Sequence, residues 1–416
     1  MRDGWRETDL RDVADLNPES VSRTTPPVEI DYIDIAAVSA VGVDVEAVRT
    51  LPFADAPSRA QRVVRAGDVI VSTVRPYLRA RALIRAELDG CVASTGFCVI
   101  RPSPSLVPGY LDAVTSTDEF YSHLESRQTG SAYPAVRPGD VGDAQIPLAP
   151  LKDQRRIAEL LASVDCCSEA SKRAAMAVER LLARTRESVV SAGESSAALG
   201  DVILEIGVGE SPRCLDRPPL PSEWGVLKVS AVRPARFIPT EAKALPPDKA
   251  PKLGAGLAEG DLLVTRSNTL DRVGAACVAR GEVKNLLLSD LIFRIKLDEE
   301  VLLPEFAANA LSSQGLRRQI EAAAVGTSGS MKKVNQTILR SLTVPCPPID
   351  EQRRALRTLR AVEAAVEVQQ SKVQDLRRLR SALLCALLSG EHEIPESYDR
   401  FLSEDGAMRD LQPIAV

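Results

Sequence analysis

Around Gln154 the chain reads IPLAPLKDQRRIAELLASV, and around Gln352 it reads VPCPPIDEQRRALRTLRAV. The two glutamines lie 198 residues apart; Pro147 falls on Pro345, Pro150 on Pro348, and Gln154-Arg155-Arg156 on Gln352-Arg353-Arg354. A polar turn precedes each stretch, TGSAYPAVR at 129–137 and GTSGSMKKVN at 326–335. Further upstream, AGDVIVSTVRPYLRARALI (66–84) parallels EGDLLVTRSNTLDRVGAACV (259–278), and LRDVADL (10–16) parallels LGDVILEI (199–206). Four matches in one order identify a tandem duplication with a period of about 195 residues. The fold must therefore be built twice, and 416 residues are in any case too many for one core.

Each repeat divides in two. Its first part holds short β-like runs bounded by Gly, Pro and Asp: 32–38, 68–74 and 97–101, then 225–229, 261–265 and 291–295. Helical stretches at 108–127 and 304–324 lie between them, which reads as an α+β globule. The second part is one long helix. Pro147, Pro150, Pro345, Pro347 and Pro348 hold an extended approach, Asp153 or Asp350 sits in the first turn, and Gly193 or Gly390 supplies the stop.

Apolar positions on these helices step by three and four. The first gives Ile157, Leu160, Val164, Cys167, Ala174, Val178 and Leu181; the second gives Leu359, Val362, Val366, Val373, Leu376, Leu383 and Leu387. These are a/d seams, interrupted by Ser171 and Gln369. A helix of about 38 residues spans roughly 57 Å, more than the flank of one head. Two matched helices in one chain are most simply explained by packing on each other, and antiparallel pairing would hold the two heads apart.

Composition narrows the function classes. Hydrophobic residues make up 44% and charged residues 26%, as in a soluble globular protein. No apolar run is long enough for a membrane span, and MRDGWRETDL lacks the apolar core of a signal peptide, so a cytoplasmic protein is expected. None of the eight cysteines forms a CxxC pair, and they read as small buried hydrophobes in a reducing compartment. Neither His123 nor His392 stands in a catalytic pattern, and no metal site or cofactor is expected. There is no GxxxxGK[ST] loop. Asn17-Pro18-Glu19-Ser20 lacks the aromatic that ends the Asn/Asp-Pro-Pro-aromatic tetrad of amino-methyltransferases.

The net charge of −5 is unevenly distributed. Residues 1–150 carry 15 basic and 21 acidic side chains and residues 391–416 carry 2 and 7, yet the stretch 59–85 holds seven arginines and the single acid Asp68. A local basic face is therefore expected in the first head.

The doubled unit of polar turn, prolines, Gln-Arg-Arg and long helix resembles the specificity subunit of type I restriction–modification systems, over nearly the whole chain. The resemblance implies two α+β target-recognition domains, 1–150 and 193–348, separated by conserved spacer helices at 151–192 and 349–390 that form an antiparallel coiled coil. An acidic tail, 391–416, follows. It also implies a non-catalytic subunit whose two heads each read half of a split site on double-stranded DNA. The partners implied are two methyltransferase subunits and the restriction/translocase subunits, with no membrane.

Arginine forks suit guanine edges and phosphates, amides suit adenine, and hydroxyls suit phosphates. On that chemistry the candidate contacts of the first head are Ser72, Thr73, Arg75, Tyr77, Arg79 and Arg81, with Ser131, Tyr133 and Arg137 of the turn. Those of the second are Arg266, Ser267, Asn268 and Arg272, with Ser330, Lys332, Lys333 and Asn335. Two other readings compete: a coiled-coil structural adaptor with two protein-binding heads, favoured by the acidic balance, and a self-sufficient enzyme, disfavoured by the missing motifs.

Overall fold

The computed structural model describes residues 4–22, 27–130, 133–191, 195–251, 254–326, 331–390 and 392–401. Contacts divide the chain into two compact units, one of residues up to Ser171 together with those from Ser371 on, the other Lys172–Gln370. Each long helix therefore contributes one stretch to each unit.

In the first unit, four antiparallel strands lie in the order Ala14–Leu16, Phe97–Pro102, Val69–Ser72, Arg81–Leu83. The strand Val69–Ser72 is apolar on both faces because it is buried on both. Val69 and Val71 pack among Tyr110, Leu111 and Phe120 of the helices, while Ile70 faces a separate core with Ile33, Ala82 and Phe97. A second sheet, in the order Arg49–Pro52, Glu29–Ile33, Val92–Ser94, Ala60–Val63, adds a further layer.

The second unit repeats this plan. Its strands run Ile203–Val208, Ile292–Leu297, Leu262–Thr265, Ala276–Val278, with Leu262 and Val264 on the helical side and Leu263 on the other. In both units the opening strand of the repeat pairs antiparallel with the strand leading into the long helix: Arg6–Asp9 with Gln145–Leu148, and Ser196–Ala198 with Thr343–Pro345.

The stretches expected as single helices at 108–127 and 304–324 are each two. Pro108–Val114 and Asp118–Arg127 are separated by Thr117, whose hydroxyl accepts from Phe120 N at 3.2 Å. Pro304–Leu311 and Gln314–Ala323 are separated by Ser313, which accepts from Leu316 N at 3.5 Å. A hydroxyl at the N-cap satisfies an otherwise unpaired amide and starts a new helix.

The long helices are Leu151–Ser191 and Ile349–Leu388. Gly390 follows the second with φ +77°; Gly193 lies outside the described residues. In the first unit, Ile157 and Leu161 share a core with Leu384 and Leu387, and Arg380 donates to Asp165 at 2.6 Å. In the second, Val190 shares a core with Leu356 and Leu359, and Gln370 donates to Glu179 at 2.8 Å. In each unit the beginning of one helix meets the end of the other, so the pairing is antiparallel.

The seam of the first helix differs from the expected one. Its buried positions are Ile157, Leu161, Val164, Ser168, Ser171 and Ala175, a strict alternation of four and three. Leu181 is 52% exposed, and Leu182 packs against the core instead. Leu160 turns partly toward the first head, and Val178 is half-buried. Ser171 is thus a member of the seam and not an interruption of it. On the second helix Leu359, Val366, Val373 and Leu387 are buried, with Val362, Leu376 and Leu383 half-buried.

Gln154 and Gln352 explain the repeated motif. Gln154 accepts from Val107 N at 2.8 Å and donates to Ser105 O at 3.0 Å and Ala149 O at 2.8 Å. Gln352 accepts from Leu303 N at 2.9 Å and donates to Val301 O and Pro347 O, both at 2.8 Å. Each side chain is buried and clips a head loop and the proline approach to its helix. The arginines that follow diverge. Arg156 is buried under the tail, paired bidentately with Asp399 at 2.5 and 2.7 Å, and Lys152 holds Glu396 at 3.0 Å; the side chain of Arg354 is 66% exposed.

The cysteines are also divided. Cys91, Cys98 and Cys277 are buried, which pushes their thiols up to about 11, 12 and 12, but Cys166, Cys167 and Cys385 are exposed on the long helices. Among the described residues no helix is long and apolar enough to cross a membrane, and no cluster of His, Cys, Asp and Glu forms a metal site.

Gln154→Leu and Gln352→Leu should each destabilise their unit by about 1–3 kcal/mol for every backbone group left unpaired, and thermal unfolding of the single variants reads this. Asp399 is a second test. Its hydrogen bond from Arg156, aided by Lys152, lowers its pKa from 3.8 to about 2. A depressed carboxylate stabilises the docked tail above its unfolded value and stops doing so as pH falls through the folded one. The tail should therefore resist pepsin at pH 4 and be trimmed as pH falls toward 2, and Asp399→Asn should be trimmed already at pH 4.

Candidate nucleic-acid interface

In the first head the strand Val69–Ser72 runs out into a loop that turns back as Arg81–Leu83. The later part of the polar turn, 133–136, lies against this loop. Val136 N donates to Thr73 O at 2.9 Å, Arg75 N donates to Pro134 O at 2.7 Å, and Val74 bridges to Ala135. Two stretches some sixty residues apart in sequence thus form one surface.

At its tip, Pro76–Leu78 makes one turn of 3-10 helix between Arg75 and Arg79, whose φ values are +52° and +55°. Left-handed backbone is costly for any residue with a Cβ. The turn sets Tyr77 and Leu78 in solvent, 50% and 55% exposed. The Arg75 guanidinium lies 5.0 Å from the ring centre of Tyr133, itself 71% exposed. Arg79 stacks 5.3 Å from the Tyr121 ring and pairs with Asp118. Arg137 is exposed, and its backbone N donates to Asp140 at 2.7 Å.

Three candidates point inward. Ser72 donates to Val74 O and Thr73 to Gly96 O, both at 2.9 Å, and Arg81 is buried in an ion pair with Asp112. All three are buried with donors engaged inside the head, which removes them from the exposed set. Ser131 lies outside the described residues.

The expected basic face is smaller than the sequence stretch suggests. Arg59 is paired with Asp34 at 2.9 Å, Arg65 with Glu19 at 2.5 Å, and Arg79 and Arg81 with aspartates of the helices. Acids distant in sequence return to neutralise the arginine run. Arg75 has no carboxylate partner among the described residues.

The second head repeats the backbone geometry. Val334 N donates to Arg266 O at 2.9 Å, and Ser267–Asn268 pairs antiparallel with Lys332–Lys333. Arg266 is exposed, 5.8 Å from the Phe293 ring centre and donating to Asp290 O at 3.3 Å. Arg272 is exposed beside Asp271 at 3.4 Å, and Lys333 is exposed.

Here too some candidates serve the fold. Ser267 is buried, Asn268 accepts from Thr269 N at 2.9 Å, and Lys332 donates to Gly326 O at 2.6 Å. Asn335 caps the helix Gln336–Ser341, accepting from Ile338 N at 2.8 Å. Ser330 lies outside the described residues.

Leu78 and Leu270 have no hydrogen-bonding side chain to mark them in the sequence, yet both are exposed on these loops. Leu270 is 41% exposed and stands 193 residues after Tyr77. The alignment of 66–84 with 259–278 contained that correspondence.

No protein-family profile matches the chain. It is 29% identical over 190 residues to the EcoEI specificity subunit of Escherichia coli, a match spanning 45% of this chain and 32% of that relative. It is 24% identical over 325 residues to the EcoKI specificity subunit of Escherichia coli K12, covering 71% of this chain and 68% of the relative. The match to the EcoEI subunit therefore spans about a third of that relative's length. Among solved structures, one from work on complex assembly and conformational transition of the type I R-M system superposes with a TM-score of 0.59 at 25% identity, covering 93% of this chain and 98% of the other. The type I S subunit of M. genitalium shares the fold, with a TM-score of 0.52 at 12% identity over 94% of this chain and 97% of that one. A duplicated α+β head, each copy followed by one of two antiparallel helices, thus recurs across nearly the full length of a type I R-M structure, and the chain is similar in sequence and fold to the specificity subunits of type I restriction–modification systems.

Proposed function

We propose that each head reads one half of a bipartite site on double-stranded DNA, with Arg75, Tyr77, Tyr133 and Arg137 at the surface of the first head and Arg266, Arg272 and Lys333 at that of the second. The observation that carries this reading is the repeated convergence. In both heads a strand-end loop and the later part of a polar turn are joined by equivalent bonds, Val136 N to Thr73 O and Val334 N to Arg266 O, both 2.9 Å. Arg75 and Arg137 in the first head, and Arg266 and Lys333 in the second, lie on these stretches and have no carboxylate partner for their side chains among the described residues.

The chain is non-catalytic in this reading. Methyltransferase subunits dock on it and supply the chemistry, restriction subunits complete the assembly, and the paired helices between 151–192 and 349–390 act as the spacer that sets the unread gap. The heads themselves would span 1–150 and 193–348. Because most of the arginine run is neutralised internally, binding by the chain alone is weak and the assembled complex binds tightly.

Co-expression with its methyltransferase subunit should produce site-specific DNA methylation, whereas the chain alone should turn over no S-adenosylmethionine. In that complex Arg75→Ala should cost about 1–3 kcal/mol if the arginine meets a base, or lower the salt slope by about one if it meets a phosphate. Recognition of the other half-site should persist. Unchanged affinity and salt dependence would remove Arg75 from the interface.

Deleting one heptad from each long helix in matched register shortens the pair by roughly 10 Å, or about three base pairs at 3.4 Å each. Both half-sites should then be read as before across a shorter gap in mapped methylation sites. An active variant with an unchanged gap would show that the helices are not the spacer.

A further inference from the structure

Tyr77 and Leu270 hold the same place in the two repeats, 193 residues apart, and both stand in solvent, 50% and 41% exposed. A scattered exposed apolar side chain is ordinary. A duplicated one at the tip of a braced turn is not. A backbone bond three residues back closes both tips: Arg79 N donates to Pro76 O at 2.8 Å, and Arg272 N to Thr269 O at 3.0 Å.

The brace comes from the matching helix in each head, by different side chains. Asp118 and Tyr121 of the helix Asp118–Arg127 hold Arg79 by an ion pair and a ring contact. Arg317 of the helix Gln314–Ala323 donates to Val273 O and, at 3.1 Å, to Leu270 O. Rigid support under an apolar tip has been kept while the residues providing it changed. The first tip also carries left-handed backbone at two arginines, a kind of strain that gathers at ligand clamps.

We propose that these tips are wedges. On DNA, Tyr77 with Leu78 in the first head, and Leu270 in the second, press into a base-pair step of the half-site under that head and partly unstack it. Duplex DNA is the occupant that the surrounding charge favours. Arg75 adjoins the first tip and Arg272 the second, with Arg137 and Lys333 on the neighbouring segments, so an apolar point bordered by cations meets stacked bases bordered by phosphates. Beside the first tip, Leu78, Arg75 and Tyr133 line a cavity of about 510 Å³ with Ile35 and Val38, an apolar surface for a displaced base. Pyrimidine–purine steps unstack most readily, so the wedges add specificity at positions that no hydrogen bond reads.

Resting as it does on the DNA-binding reading above, the wedge is tested in the complex of the full chain with its methyltransferase subunit, on the target identified from methylated sites. 2-Aminopurine placed at successive positions should brighten several-fold on binding at one step in each half-site. Tyr77→Ala with Leu78→Ala should abolish the rise under the first head alone and weaken binding roughly tenfold; Leu270→Ala should do the same under the second. Both changes lie on exposed turns, and unaltered thermal unfolding confirms that the variants fold. Tight specific binding with no brightening at any position overturns the wedge and leaves the DNA reading intact. Loss of affinity on replacing a thymine by uracil, without a fluorescence change, assigns the tips to methyl contacts and also overturns it. A wild-type complex with no site-specific binding overturns the DNA reading itself.

Discussion

One buried glutamine in each repeat holds the architecture together. Gln154 and Gln352 each satisfy three backbone groups, an amide and a carbonyl from the head loop and a carbonyl from the proline approach to the helix. No other uncharged side chain of that length has a donor and an acceptor to present together. The head loop cannot leave the helix start without exposing or orphaning those groups, so the direction in which each long helix departs is tied to its head. The matching bonds in both copies show that the duplication preserved this joint.

Once the helices depart in fixed directions, their seams decide how they meet. The first helix buries Ser168, Ser171 and Ala175 in the middle of its seam, where larger side chains would be usual. Small residues permit close backbone approach, and polar pairs such as Arg380 with Asp165 and Gln370 with Glu179 select register along the flanks. Near the start of the first helix the tail adds a contact that, among the described residues, has no counterpart in the second copy. Asp399 and Glu396 cover Arg156 and Lys152, so an acidic segment that looked like surplus charge is partly a structural cover.

The electrostatics of the heads follow from the same economy of pairing. An arginine run suggests a basic face, but most of its members are partnered across the fold, and only a few cations remain open at the loop surface. The surface that results is small, braced and part apolar. Under the proposed reading, such a surface suits discrimination among bases better than holding DNA by charge alone.

Repetition, strand positions and the long helices were legible in the sequence, because they depend on local spacing: prolines before a helix, glycine after it, apolar steps of three and four, and the same signals recurring 198 residues on. The phase of the first seam was not. Leu160 and Leu161, or Leu181 and Leu182, are adjacent apolar residues, and only the partner's position chooses between them. The candidate surface divided in the same way. Of the residues chosen for their chemistry, Tyr133 and Arg272 are exposed and Arg75 is half-buried, whereas Arg81, Ser72 and Thr73 are turned inward by the fold to Asp112, Val74 and Gly96. Sequence by itself determined the duplicated plan, because periodicity and backbone propensity act between near neighbours. Tertiary structure alone decided which charges stay free and which apolar residues stay exposed, because those depend on partners brought together from distant parts of the chain.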